Sequence, residues 1–169
     1  MTRYWTRNSM KNRSILLAGC ILSCLVVGSV QSAPMNVTAT VLETCELGTV
    51  DDMAFGGLTP GSNLDVSATA TIEWRCSNGT SADITLDDGG NGDRSMSGPG
   101  AATLSFELYK DAVLSQRWGD TGAETVTLNG TGMASFSSAT VHGEVLHADY
   151  VGAQQGAYSD IVTVNIVIN

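Results

Sequence analysis

The residues best suited to chemistry lie in DDGGNGD, residues 87–93. Asp87, Asp88 and Asp93 set among glycines are the ligand type that hard cations such as calcium take. The stretch lacks the D-x-D-x-D-G spacing and the bidentate glutamate of an EF-hand, and it falls one residue short of a repeat calcium motif. It therefore reads as a solvated hairpin loop. The two histidines, His142 and His147, stand five apart on a strand-like segment, fall on opposite faces, and sit at no ligand spacing to a cysteine. No G-x-S-x-G is present, and no serine is placed by sequence with a histidine and a carboxylate. Trp74, Trp118, Tyr109 and Phe106 could stack a sugar, but each lies in an alternating strand pattern, where core packing is the simpler reading. No catalytic residue, metal or cofactor is expected.

The elements that would position these side chains begin after a leader. Arg3, Arg7, Lys11 and Arg13 precede the apolar run ILLAGCILSCLVVGSV, residues 15–30. A basic start, such a run and small residues after it describe a secretory signal peptide, here 1–32, cut after Ser32. Met10 is an alternative start. The run of 16 residues is short for a span of about 20. LAGC, residues 17–20, resembles a lipobox, but the longer apolar run follows it. Without 1–32, four bases face seventeen acids, a net charge of about −13. That balance excludes nucleic acid and anionic membrane as partners, and no stable membrane insertion of the mature chain is expected. Of four cysteines, Cys20 and Cys24 leave with the leader, and Cys45 and Cys76 remain. Two cysteines in an exported chain most simply form one disulfide.

The remainder is patterned with period two, the signature of strands. Met35, Val37, Ala39 and Val41 alternate with polar residues, as do Val66 to Cys76 in VSATATIEWRC. ADITL (82–86), TLSFELY (103–109), ETVTL (124–128), ATVHGEVL (139–146) and DIVTVNIVI (160–168) follow. Turn chemistry separates them, and Asn129-Gly130 reads as a hairpin turn. An all-β sandwich is expected. In the last strand Val162, Val164, Ile166 and Ile168 share one face. Its flat edge needs a covering partner, and Asp160 is the only charge nearby.

Several segments in order resemble one family. Cys45 followed by MAFGGLTPG, then ATIEWRCSNGTSADITLDDG, RSMSG, LSFELYKDAVLSQRWGD and GAYSDIVTVNIVIN are similar to the spore coat protein U domain, which includes subunits of archaic (Csu-type) chaperone–usher pili. The resemblance covers essentially all of residues 35–169. It implies an incomplete immunoglobulin-like β-sandwich completed by a donor strand. A periplasmic chaperone would lend that strand first. At the outer-membrane usher, the N-terminal extension of a neighbouring subunit would replace it, by strand addition to an open edge. On this resemblance 33–44 is the extension, with Met35, Val37, Ala39 and Val41 as donor side chains, and 45–169 is the domain. Val162, Val164, Ile166 and Ile168 form the acceptor edge. Cys45–Cys76 matches the family's disulfide, and the product is an adhesive, biofilm-forming surface fibre reached through the periplasm. The alternatives are a spore or cell coat protein built on the same domain and a secreted glycan- or calcium-binding module.

Overall fold

The computed structural model describes residues 28–169. Most of the expected signal peptide, with Cys20 and Cys24, lies outside the described residues. The chain divides into two units, 1–39 and 40–169. The described part of the first carries no helix or strand, and its residues are exposed. Among the described residues no helix is long and apolar enough to cross a membrane.

The second unit is an all-β sandwich with one short α-helix and a 3-10 turn at Gly122–Glu124. Its strands are β1 (Cys45–Val50), β2 (Val66–Cys76), β3 (Ser81–Leu86), β4 (Ser95–Ser97), β5 (Thr103–Ser105), β6 (Glu107–Tyr109), β7 (Val126–Asn129), β8 (Ser137–Val145) and β9 (Val164–Ile168). Helix α1 (His147–Tyr150) follows β8. One sheet has the order β1-β2-β8-β6, the other β7-β3-β9, and β4 and β5 form a separate pair. All pairings are antiparallel.

Period-two sequence explains the long strands. In β2 and β8 the residues Ile72, Trp74, Val141 and Val145 turn inward, with the less buried Glu73, His142 and Glu144 between them. They meet Ala82, Ile84 and Leu86 of β3, all buried. The two inner faces thus make one core, as in other sandwiches. Trp118 is sealed into it, and its Nε1–H donates to the Ile84 carbonyl at 3.0 Å. That bond satisfies the one polar atom of a buried indole.

Four local expectations change. TLSFELY is not one strand: β5 pairs with β4 and β6 with β8, and the chain changes partners at Phe106, which stays buried. Asn129-Gly130 is no hairpin turn, because β7 and β8 belong to different sheets. Gly130 instead lies against the β2–β3 turn, where a Cβ would stand 2.1 Å from the Ser77 carbonyl oxygen. Trp118 lies outside any strand, and His147 opens α1 instead of continuing β8.

Cys45 and Cys76 face each other across β1 and β2, with Cα atoms 4.1 Å apart, and are bonded. Ser77 N–H donates to the Thr44 carbonyl at 2.9 Å. This makes the adjacent cysteine pair the close, non-hydrogen-bonded kind, which brings side chains together. The bond ties β1 to the centre of its sheet. Reducing this 31-residue closure is expected to lower unfolding stability by about 3–4 kcal/mol. Urea unfolding with and without reductant measures it, and coincident midpoints would refute it.

Candidate functional site

The sheets close on one side only in part. β1 ends one sheet and β9 ends the other, and their Cα atoms come within 8 Å without ladder hydrogen bonds. A bulge between Leu47 and Val50 turns β1 away from β2. Asp51 N–H still reaches the Thr71 carbonyl at 2.9 Å, and residues 52–58 then make no hydrogen bond among the described residues. Met53 and Phe55 point inward from this stretch over Gly143 of β8. A Cβ on Gly143 would meet Met53 Sδ at 2.2 Å and Phe55 Cζ at 2.9 Å, so the glycine makes the room they occupy.

Tyr158 to Val164 form the opposite wall. Ser159 exchanges backbone bonds with Ser97 at 2.9 and 3.0 Å, and Asp87 N–H donates to the Thr163 carbonyl at 3.1 Å. Asn169 N–H donates to the Ser81 carbonyl at 3.0 Å. Antiparallel ladders alternate, so Thr163, Asn165, Val167 and Asn169 direct their backbone groups to β3. Val162, Val164, Ile166 and Ile168 direct theirs to the open side. Their side chains turn toward the sandwich, Ile168 remaining exposed at the end. The same residues therefore offer hydrogen-bonding groups outward and apolar groups inward.

Between the walls is a cleft of about 480 Å³. Ala70, Ile72 and Val141 of the first sheet and Leu86 of the second line it, with Met96 and Phe106 toward one end. Several of these are core residues, so the cleft opens onto the hydrophobic core itself. Of the residues expected to form an acceptor edge, Val162 and Val164 line the cleft, whereas Ile166 and Ile168 lie outside its lining. Met35, Val37 and Val41 are 84%, 82% and 89% exposed. The wall from Val50 to Phe55 was not among the expected site residues. Its signal was the alternation of Met53 and Phe55 in DMAFGG, a pattern too short to be read as a strand.

DDGGNGD is more than a solvated loop. Asp87 Oδ1 accepts from Thr163 N–H at 2.8 Å and Gly89 N–H at 3.0 Å. Asp88 pairs with Arg117 at 2.6 Å and with the buried Arg94 at 3.5 Å. Asp93 accepts from the Ser95 hydroxyl. The three carboxylates diverge, and among the described residues no three metal-ligating side chains converge. Arg117 also binds Glu107 at 3.0 Å and Glu124 at 2.6 Å. Burial opposes its charge, but the bonds to Asp88, Glu107 and Glu124 outweigh that and raise its pKa above the ordinary arginine value. His142 lies on β8 opposite Thr69, while His147 donates from Nε2 to the Pro60 carbonyl at 2.9 Å; the two make no joint site. Trp74, Trp118 and Phe106 are buried and Tyr109 half-buried.

An all-β sandwich open along one seam can be compared with known proteins. The family model for the Spore Coat Protein U domain matches residues 31–165. The chain belongs to the Spore Coat Protein U domain family. Among solved structures, it is similar to the crystal structure of the CsuC–CsuE chaperone–tip adhesion subunit pre-assembly complex from archaic chaperone–usher Csu pili of Acinetobacter baumannii. The TM-score is 0.54 with 26% identity, over 76% of this chain and 40% of that one. This chain thus spans well under half the length of that relative. No curated protein sequence matches it. The spore coat U domain here is an incomplete immunoglobulin-like sandwich.

Asp87 of the DDGGNGD loop carries a pH dependence. Burial raises the Asp87 pKa, but the bonds from Thr163 and Gly89 and the charge of Arg94 outweigh it and hold the carboxyl below its ordinary value. A depressed carboxylate stabilises the fold above its unfolded pKa, about 3.9, and that contribution is lost as pH falls through the folded value. Asp87→Asn is therefore expected to flatten the decline of melting temperature below about pH 4. An unchanged acid limb in thermal melts would contradict this.

Proposed function

We propose that this chain is a structural subunit of a surface fibre of the chaperone–usher pilus type, which accepts a β-strand from another polypeptide into the cleft between β1 and β9. The observation that carries the reading is the cleft itself. Unpaired backbone lies on both of its walls, and its floor is hydrophobic core. An inserted strand would hydrogen-bond to the edge at Val162 and Val164 and place alternate side chains over Ile72, Leu86 and Val141. This is strand addition, in which main-chain bonds supply affinity and pockets for alternate residues supply specificity. Covalent chemistry has no part in it, and the subunit acts as no enzyme.

The proposed occupants come in sequence. A periplasmic chaperone fills the cleft first. At an outer-membrane usher, the extension 33–44 of a neighbouring copy or related subunit takes its place. Met35, Val37, Ala39 and Val41 share one face of an extended strand, and the larger three are exposed. Each such side chain would contribute about 1.5–3 kcal/mol on full burial. Val162 and Val164 form the part of the acceptor edge that lines the cleft; Ile166 and Ile168 continue it. Because donor and acceptor surfaces differ, head-to-tail pairing does not close, and it grows a fibre. Export through 1–32, passage through the periplasm and display at the cell surface complete the route, with adhesion and biofilm formation as the fibre's role. The family's name equally covers a coat built by the same exchange, and electron microscopy of the assembled product separates a layer from a fibre.

The test is export of the full chain, and of the chain lacking 33–44, followed by electrophoresis in SDS of unheated samples. A ladder of multimers that collapses on heating, and is absent without 33–44, is the expected result. A stable monomer from both forms would sink the proposal.

A further inference from the structure

The wall that carries the open edge is itself weakly supported. β9 begins at Val164, so residues 160–163 run along the cleft beyond the β3–β9 ladder. Ile161 is 80% exposed, and neither Ile161 nor Val162 makes a backbone hydrogen bond among the described residues. A four-residue stretch with so few bonds would ordinarily fluctuate. Yet an acceptor edge must be extended before a strand can add to it, since ordering it on binding would cost affinity.

The DDGGNGD loop supplies the missing support. It grips the wall at both ends: at Thr163 through the backbone and carboxylate of Asp87, and at Asp160, whose Oδ1 accepts from Gly90 N–H at 2.9 Å. The Thr163 bonds come from the β3 side, so the backbone groups of Val162 and Val164 facing the cleft stay free, while Asp160 is held at the cleft's own margin. Gly89 is required for the second grip. Its φ is +82°, and a Cβ there would stand 1.9 Å from Asp160 Oδ2. The loop is in turn fixed to the body of the domain by Asp88, which pairs with Arg117 and whose carbonyl accepts from Arg94 N–H at 2.8 Å. The loop contains no apolar side chain, so its contribution to the core is small.

Resting on the strand-acceptor reading above, we propose that the loop is the positioning element of the acceptor edge: Asp87, Gly89 and Asp160 hold residues 160–163 extended and ready for an incoming strand. Two alanine substitutions separate this role from general stability. Gly89 and Gly92 have φ of +82° and +76°, so alanine strains the backbone alike at both, but only at Gly89 does it strike Asp160. In the full chain, Gly89→Ala is expected to speed amide exchange at Thr163 and slow assembly of the heat-labile ladder, each by about tenfold, the order expected from losing one charge-assisted hydrogen bond. Gly92→Ala is expected to keep wild-type values for both. Asp160→Ala removes the grip without straining the loop and should behave as Gly89→Ala, which covers the case in which that variant folds poorly. Exchange at Ile84, in the core, should not change in any of them. Equal exchange and equal assembly in all variants would overturn the positioning role and leave the acceptor reading intact. A wild-type chain that forms no ladder would overturn the acceptor reading itself.

Discussion

Backbone N–H and C=O groups must be paired or hydrated, and along the seam between β1 and β9 the described sandwich leaves facing edges that its own strands do not pair. The sandwich has two outer edges, β1 and β9, that approach along a seam and do not pair. Leaving them apart opens a cleft over an apolar floor in which Ile72, Leu86 and Val141 remain buried. Other features act to keep that arrangement in one shape. The Cys45–Cys76 bond holds β1 to β2 at the seam's lower end. Gly143 admits Met53 and Phe55 so that the far wall has a footing. β3, buried by both sheets' side chains, anchors β9 through its inner ladder.

The segment SQRWGD does a second kind of work. Trp118 packs in the core and bonds to Ile84, while the adjacent Arg117 collects Asp88, Glu107 and Glu124 on the surface. Two neighbouring residues thus join the core to three separate surface segments. Arg94 lies beneath the same cluster, donating to the Leu86 and Trp118 carbonyls at 3.0 and 2.9 Å. Both bonds come from Nη2, while its buried Nε and Nη1 have no hydrogen-bond partner, which is costly for a guanidinium; burial lowers its pKa, although Glu107 and Asp88 oppose that. In a chain this acidic, half of the four bases outside the expected leader are committed to this one region.

Much of this was legible in the sequence, for physical reasons that also mark where legibility stops. Period two reports which side chains share a face, so β2, β3, β8 and the alternation of β9 could be read directly. It does not report which sheet a strand joins. Hence TLSFELY looked like one strand although Phe106 divides two partnerships, and Asn129-Gly130 looked like a hairpin although it passes between sheets. The disulfide followed from counting cysteines. The wall at Val162 and Val164 was readable because its alternation of apolar side chains is local to residues 160–168. The opposite wall was not, since Met53 and Phe55 become a wall only because Gly143, ninety residues away, leaves a space for them. Likewise the acids of DDGGNGD resembled a cation site in sequence, where Arg117 and Thr163 are far off, and they are engaged in the fold, where those residues are near.

The parity of β9 has a mechanical meaning. Val162 and Val164 turn their hydrogen-bonding groups to the cleft side and their side chains to the core, so the two requirements of a lodged strand repeat in phase. A lodged strand displaced by one residue would lose both at once, and displaced by two it would recover both. For a strand lodged as proposed, the permitted placements would therefore be discrete, separated by about 6.4–6.8 Å of travel, and the seam would act as a notched rail with no resting position between the notches.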